Sequence, residues 1–312
     1  MTYVEEIAEI ERRIRDLEIQ GARNVAIWGF RCLELAVKHA PASTPSQLID
    51  TMGKIAREVS LIRVTEPMLR NVLATVLYEA KKARPEKVED LRSMTLKLCS
   101  GLLDDLESSL SEIQRQGARV IKDGDTIFTH CHSSSVTKLI ISQSEEKDIR
   151  VLCTETRPRW QGRKTARELA EAGIDVTLFV DSAARMFMDE ADLVLIGADA
   201  VGGGLLYNKI GSYMVIHFAN EAGVPAYSVC ESRKFDPLIR HGHRQPVEER
   251  PPSEVIDGEV PFKVRNPAFE TVPLEMFSGI ITELGIVDPA RVDELMERYE
   301  HLVPELEKLV NW

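Results

Sequence analysis

Two short stretches of this chain carry side chains that could move protons. Thr129-His130-Cys131-His132-Ser133-Ser134-Ser135 puts a thiol, two imidazoles and a run of hydroxyls directly after the apolar pair Ile127-Phe128. Ala191 to Gly211 opens with Leu193-Val194-Leu195-Ile196, breaks at Gly197-Ala198 and presents Asp199 where a strand would end. Open α/β sheets build sites from groups delivered at the carboxyl ends of strands, so Cys131 and Asp199 are expected in one crevice. A thiol at a helix N-terminus beside histidine is expected to have a lowered pKa and to act as a base or nucleophile. Two blander explanations stay open: Cys131 as a small buried apolar residue, and Asp199 as a cap in a strand-to-helix turn. Two proton-carrying groups at two strand ends favour a site. His130 and His132 read as supporting polar residues, because their spacing does not match a common zinc signature.

The residues around this pair suit an anion. After Asp199 come Gly202-Gly203-Gly204 and then Asn208-Lys209-Ile210-Gly211, leading into a helical run from Ser212 to Ala222. Backbone N–H groups of a Gly-rich loop and of a helix N-terminus favour a bound phosphate, and Lys209 adds a point charge. Ser133, Ser134 and Ser135 would open another helix with hydroxyls and N–H groups turned to the same use. Arg157, in Thr154-Glu155-Thr156-Arg157-Pro158, and Lys234, in Glu231-Ser232-Arg233-Lys234-Phe235, also follow apolar runs, which favours a site over plain surface charge. Gln20-Gly21-Ala22-Arg23 and Arg63-Val64-Thr65-Glu66-Pro67 are basic turns that helix capping explains equally well.

Positioning such groups takes two kinds of element. Up to Gln116 the pattern is helical throughout. Val4, Ile7, Ile10, Ile14 and Leu17 keep one apolar face, and further helices are expected near 25–37, 48–59, 67–80 and 87–116. Beyond Gly117-Ala118 short β-rich runs alternate with helical ones. The runs are 126–129, 151–154, 176–180, 193–196 and 226–229, with helical composition at 164–172 and 212–222. Alternation of this kind predicts a doubly wound, mainly parallel, Rossmann-like sheet. The fold class is therefore α/β: an N-terminal helical domain (1–118), then a Rossmann-like domain (119–312) closed by one amphipathic helix from Pro289 to Trp312. The Pro-rich stretch from Asp236 to Pro267 is the one long irregular connection expected, of the kind that serves as a lid or binding loop.

Composition removes several classes of function. Hydrophobic residues make up 44% of the 312, enough for a packed core. A net charge of −11 argues against coating nucleic acid, so phosphate chemistry would need local cations. The absence of any run of ~18 apolar residues argues against a membrane span, and the charged N-terminus is unlike a signal peptide. Five cysteines, odd in number and without ligand spacing, read as a reducing, cytoplasmic setting.

Taken together, ETRPRWQG, GAD…NKIG, VCESRKFD and FETVP…IITELG resemble the superfamily that joins regulatory subunits of translation initiation factor 2B to sugar-1-phosphate isomerases. The resemblance covers nearly the whole chain. Isomerases of that superfamily pair a Cys in the first strand-end motif with an Asp in the GAD motif, and regulatory subunits generally lack the pair. Cys131 and Asp199 are both here, so the resemblance is closest to archaeal-type ribose-1,5-bisphosphate isomerases, which form ribulose 1,5-bisphosphate in AMP and nucleoside salvage. It implies substrate contacts at Gln20, Gly21, Ala22, Arg23, Arg63, Ser133, Ser134, Ser135, Asn208, Lys209 and Lys234, and no metal or other cofactor. It implies a sugar bisphosphate substrate, AMP as a candidate activator and no nucleic-acid or membrane partner. The apolar tail and the helical half suggest a homo-oligomer, a dimer or trimer of dimers. A non-catalytic regulatory subunit and a methylthioribose-1-phosphate isomerase are the alternatives.

Three departures from the family pattern stand out: Gln20-Gly21-Ala22 for Arg-Gly-Ala, Arg63-Val64-Thr65 for Arg-Pro-Thr, and a loop after Asp199 one residue short. A sugar phosphorylated on its anomeric oxygen cannot open to a free aldehyde, so the ring C–O bond must break with the phosphate retained. Cys131 is expected to carry the carbon proton and Asp199 the oxygen protons. Arg23 and Arg63 are expected to latch a substrate-driven closure of the two halves.

Overall fold

Each half of the chain forms elements for local reasons, and a computed structural model describes residues 2–310 apart from 244, 246 and 247. In chain order the helices of the first half are α1 (Tyr3–Arg15), α2 (Ala22–His39), α3 (Pro45–Ile62), α4 (Pro67–Ala83) and α5 (Val88–Gly117). There follow β1 (Thr126–Thr129), α6 (Ser134–Ser144), β2 (Arg150–Thr154), α7 (Gln161–Glu171), β3 (Asp175–Phe179) and α8 (Ala184–Met188). Then come β4 (Leu193–Ile196), β5 (Ala200–Gly202), β6 (Leu205–Lys209), α9 (Ser212–Ala222), β7 (Ala226–Val229) and α10 (Pro237–Arg240). The chain closes with β8 (Phe269–Pro273), β9 (Gly279–Thr282), β10 (Gly285–Val287), α11 (Val292–Met296) and α12 (Val303–Leu309). Thr2 caps α1 in a capping box with Glu5, and Pro45 and Pro67 sit in the first turns of α3 and α4, where a missing N–H costs nothing.

The residues group into two units. The first comprises Met1–Ser108, Arg233–Pro246 and Glu294–Trp312, and the second Ser109–Ser232 and Val247–Asp293. The expected division at residue 118 and the expected place of the tail both change. Leu302, Leu306 and Leu309 are buried in the same apolar core as Phe30, Met52, Leu69 and Leu73, so the tail joins the helical unit. Nor is the tail one helix. Between α11 and α12 it tightens into a 3₁₀ segment, Glu297–Leu302, and α12 restarts with Pro304 in its first turn. A proline has no N–H to continue the ladder from the turn before it. Asn311 and Trp312 lie outside the described residues. Within this unit, Arg70 on α4 is fully buried and donates to Asp236 at 2.8 Å, while the Asn71 amide donates to the carbonyls of Arg233 and Phe235. Those bonds fix the segment that bears Lys234.

The second unit is the expected doubly wound sheet. Its strand order is β10-β9-β7-β4-β1-β2-β3, parallel throughout except for the β9–β10 hairpin. Strand order runs outward in opposite directions from β1 and from β4, so the switch point lies between them. Ile127, Leu193, Leu195, Val151 and Val229 are buried with Val136, Leu139 and Ile140 of α6, which is why these strands read as continuous apolar runs. A second sheet, β5-β6-β8, is antiparallel. Here the expectation of a Gly-rich loop running into a helix is corrected. Gly202 pairs with Leu205, so Gly203 and Gly204, at φ of +60° and +73°, form a two-residue hairpin turn. Both central residues of such a turn need the left-handed region, and glycine enters it freely.

Candidate active site

β1 and β4 carry the two proton-bearing groups to the switch point. Cys131 follows β1 in the left-handed region at φ +69°, an unusual conformation for a residue with a Cβ. Three hydrogen bonds hold that turn. The Cys131 N–H donates to Thr156 Oγ1 at 2.9 Å, the Thr165 hydroxyl donates to the Cys131 carbonyl at 2.9 Å, and His132 Nδ1 lies 3.1 Å from the same Thr165 oxygen. Thr156, itself at φ +59°, has its N–H bonded to Asp181 Oδ1, and the Arg157 N–H is bonded to Asp181 Oδ2, both at 2.7 Å. Asp181, just past β3, therefore sets the turn on which the Cys131 turn rests. It went unnoticed in the sequence, where its only signal was to be the first polar residue after the apolar run ending at Val180.

Asp199 stands between β4 and β5, and its N–H donates to the Tyr207 carbonyl across the hairpin at 2.9 Å. Burial pushes the Cys131 thiol up to about 11 from its ordinary 9.0. Lys209 and the His132 N–H pull it down, and the Asp199 and Asp181 carboxylates push it up. The fold thus brings Cys131, Asp199, Lys209 and Asp181 within electrostatic reach of one another. It also reverses the expectation of a lowered thiol pKa, since taking a thiolate out of water outweighs one nearby ammonium.

The expected anion contacts divide. Ser133 caps α6, its hydroxyl accepting from the Val136 N–H at 3.5 Å; Ser134 is exposed, and the Ser135 hydroxyl bonds Glu231 at 3.4 Å. Lys209 ends β6 with its Nζ 4.3 Å from the centre of the Phe269 ring. Asn208 is buried and donates to the Ser212 hydroxyl at 2.8 Å. The start of α9 is closed by the protein's own carboxylate: Glu270 Oε1 accepts from the N–H groups of Gly211 at 2.6 Å and Tyr213 at 2.9 Å. These two donors are not open to a phosphate, contrary to expectation, and they explain the Glu in the FETVP stretch.

The remaining expected contacts belong to the helical unit. Gly21 is the N-cap of α2 with Ala22 buried behind it, Gln20 Nε2 donates to the Leu17 carbonyl, and Arg23 donates to the Leu106 carbonyl. Arg63 pairs with the buried Glu66 at 2.6 Å, and Lys234 is buried on the segment held by Asn71. Helix capping and internal pairing account for the first two segments as well as substrate contact does. Among the described residues no cluster of three or more His, Cys, Asp or Glu could hold a metal, and no helix is long and apolar enough to cross a membrane.

Both histidines beside Cys131 have pKa values lowered by burial from the ordinary 6.5. A base depressed in the folded state takes up protons first in the unfolded chain, so its contribution is full above about pH 6.5 and is lost as pH falls. Buried Cys32, Cys99 and Cys153 are raised to about 12, and as acids of raised pKa they cost stability once pH exceeds 9.0. The urea midpoint is therefore expected to be highest between these limits and to fall on both sides. A midpoint still rising at pH 5 would contradict neutral buried imidazoles.

Residues 18–289 match the initiation factor 2 subunit family. The ribose 1,5-bisphosphate isomerase of Methanocaldococcus jannaschii is 36% identical over 309 residues, spanning 96% of this chain and 97% of that protein. That of Thermococcus kodakarensis is 36% identical over 310 residues, 96% of each chain. A crystal structure from Pyrococcus horikoshii, described as translation initiation factor eIF-2B, is 30% identical with a TM-score of 0.79, covering 92% of this chain and 98% of that one. On sequence and fold alike, this chain belongs to the initiation factor 2 subunit family.

Proposed function

We propose that this chain is an isomerase that converts ribose 1,5-bisphosphate to ribulose 1,5-bisphosphate, with Cys131 and Asp199 as its acid–base pair. The observation that carries the reading is the delivery of both groups to the β1/β4 switch point, close enough for the Asp199 charge to act on the thiol. The relatives named ribose 1,5-bisphosphate isomerase support the substrate. Resting Cys131 carries its proton, since burial holds the thiol near 11. That favours the reverse of the division expected from the sequence. Cys131 gives its proton to the ring oxygen as the C1–O bond breaks and Asp199 takes the proton from C2, whose C–H electron pair forms a C1=C2 enol phosphate. The thiolate then takes the C2 hydroxyl proton as the ketone forms, and Asp199 returns its proton to C1. Both groups end as they began. Lys209, whose charge also reaches the thiol, is a cation that this unit offers to a phosphate.

The same reading places the enzyme in AMP and nucleoside salvage in the cytoplasm, with AMP as candidate activator. Exposed Leu178, Val180 and Met186, at and after edge strand β3, support self-association. Purified protein incubated with ribose 1,5-bisphosphate is expected to yield ribulose 1,5-bisphosphate by ³¹P and ¹³C NMR; no product would end the proposal. Methylthioribose 1-phosphate is expected to be a far poorer substrate, because its apolar thioether leaves a phosphate-binding cation unpaired. The roles are read from pH. With Cys131 as acid, kcat/KM is level from pH 7 to 9, whereas a thiolate base would raise it about tenfold per unit. A steady rise would restore Cys131 to the carbon proton.

A further inference from the structure

His130 lies between the two parts of the site, and its bonds have only one consistent direction. Its Nε2 is 2.9 Å from the Ile210 carbonyl, which can only accept, so Nε2 carries a proton. Burial keeps the ring neutral, so Nδ1 is bare and accepts from the Thr154 hydroxyl at 2.6 Å. That uses the one proton on Thr154 Oγ1. In its 3.4 Å contact with Thr156 Oγ1, Thr156 is then the donor. Thr156 Oγ1 in turn accepts from the Cys131 N–H at 2.9 Å. Four bonds run one way: Cys131 N–H to Thr156, Thr156 to Thr154, Thr154 to His130, and His130 to the carbonyl next to Lys209. The ring also fills the space beside Gly211, where an added Cβ would meet it at 2.8 Å.

We propose that His130 is a positioning residue, locked as the neutral Nε2–H tautomer, that joins the Cys131 turn to the Lys209–Gly211 segment through the Thr154–Thr156 hydroxyl relay. A second proton, on Nδ1, would turn its acceptor into a donor facing the Thr154 hydroxyl, and that hydroxyl would have to reverse along with Thr156. Burial is the main force against that proton. The charges acting on the ring oppose each other, Asp181 after β3 favouring the cation and Lys209 on β6 disfavouring it. Neither the spacing in the motif nor the hydropathy of β1 distinguishes this from a buried filler histidine. The paired distances do. Chains of this kind polarise one another and fix geometry more sharply than separate bonds.

The proposal rests on Cys131 being a catalytic group, so its test separates the two. The first measurement needs no activity. In histidine-labelled protein, with His130 assigned by its loss in His130→Gln, ¹⁵N NMR is expected to show a bare Nδ1 and a protonated Nε2, unchanged from pH 8 to 6. A ring that titrates near 6.5 or carries its proton on Nδ1 would overturn the proposal. The second is kinetic. Thr154→Val removes the middle hydroxyl with little change of shape and is expected to lower kcat about 10- to 100-fold, with KM within about threefold. Thr154→Ser is expected to restore kcat to within about threefold of the parent. Full kcat in Thr154→Val, or a Thr154→Ser variant as slow as Thr154→Val, would also overturn it. Cys131→Ser is assayed beside them: full turnover there ends the reading of Cys131 and leaves the tautomer result to stand or fall alone.

Discussion

Cys131→Ser and Asp199→Asn are each expected to lower kcat by a factor on the order of 10² or more, while the substrate still binds. Both substitutions leave the backbone bonds at these positions in place. The Cys131 turn is held by its N–H and carbonyl, and Asp199 is tied to the hairpin by its N–H, so both backbones persist in the variants. What changes is chemistry. A serine hydroxyl is a far weaker acid than even a thiol held near 11, and an amide cannot accept a proton from carbon. Because the two groups pass protons within one reaction, the double variant is expected to lose little more than either single one. Steady-state kinetics together with calorimetric binding of a bisphosphate analogue would check this. Turnover near the parent value in either single variant removes that residue from the mechanism.

The largest effect on stability is expected far from this chemistry. Asp236→Ala leaves Arg70 fully buried without its carboxylate partner and should cost about 3–5 kcal/mol. Burial already presses the guanidinium towards its neutral form, and Asp236 is the chief group opposing that. The same carboxylate also accepts from Gln245 at 2.6 Å and from the Leu238 N–H at 3.1 Å, so its loss frees the turn behind Lys234 as well. Replacing both partners with apolar residues, Arg70→Met with Asp236→Leu, should cost much less, because neither member of the pair is then left buried without the other. Denaturant unfolding of the single and double variants decides it. A loss under about 1 kcal/mol in Asp236→Ala would mean that water or another group reaches Arg70.

Much of the sheet was legible because its signals are local. The apolar runs at 126–129, 193–196 and 226–229 coincide with β1, β4 and β7, and the helical run 212–222 with α9. A strand buried on both faces writes itself as consecutive Val, Ile, Leu and Phe whatever its neighbours are. The helices of the first half announced themselves by period and by their capping residues, to within a few positions at each end. Cys131 and Asp199 could be singled out for the same reason: each is a proton-carrying residue type two or three positions past the end of such a run.

What the chain could not state by itself depends on residues distant in sequence. Gly202 to Gly204 looks like a phosphate loop by composition; its pairing across to Leu205 makes it a hairpin turn, and β8, some sixty residues on, completes the sheet that holds this hairpin. Glu270 closes the start of α9 from 59 residues away, and Asp236 meets Arg70 across 166. The tail reads as a single amphipathic helix until its leucines are placed among those of the helical unit. Ionisation follows the same rule. The sequence places a thiol at a helix start beside histidines, a setting that lowers a pKa in water. The fold also half-buries it, and the cost of desolvating a thiolate there exceeds what one ammonium returns, so the thiol's pKa is raised rather than lowered.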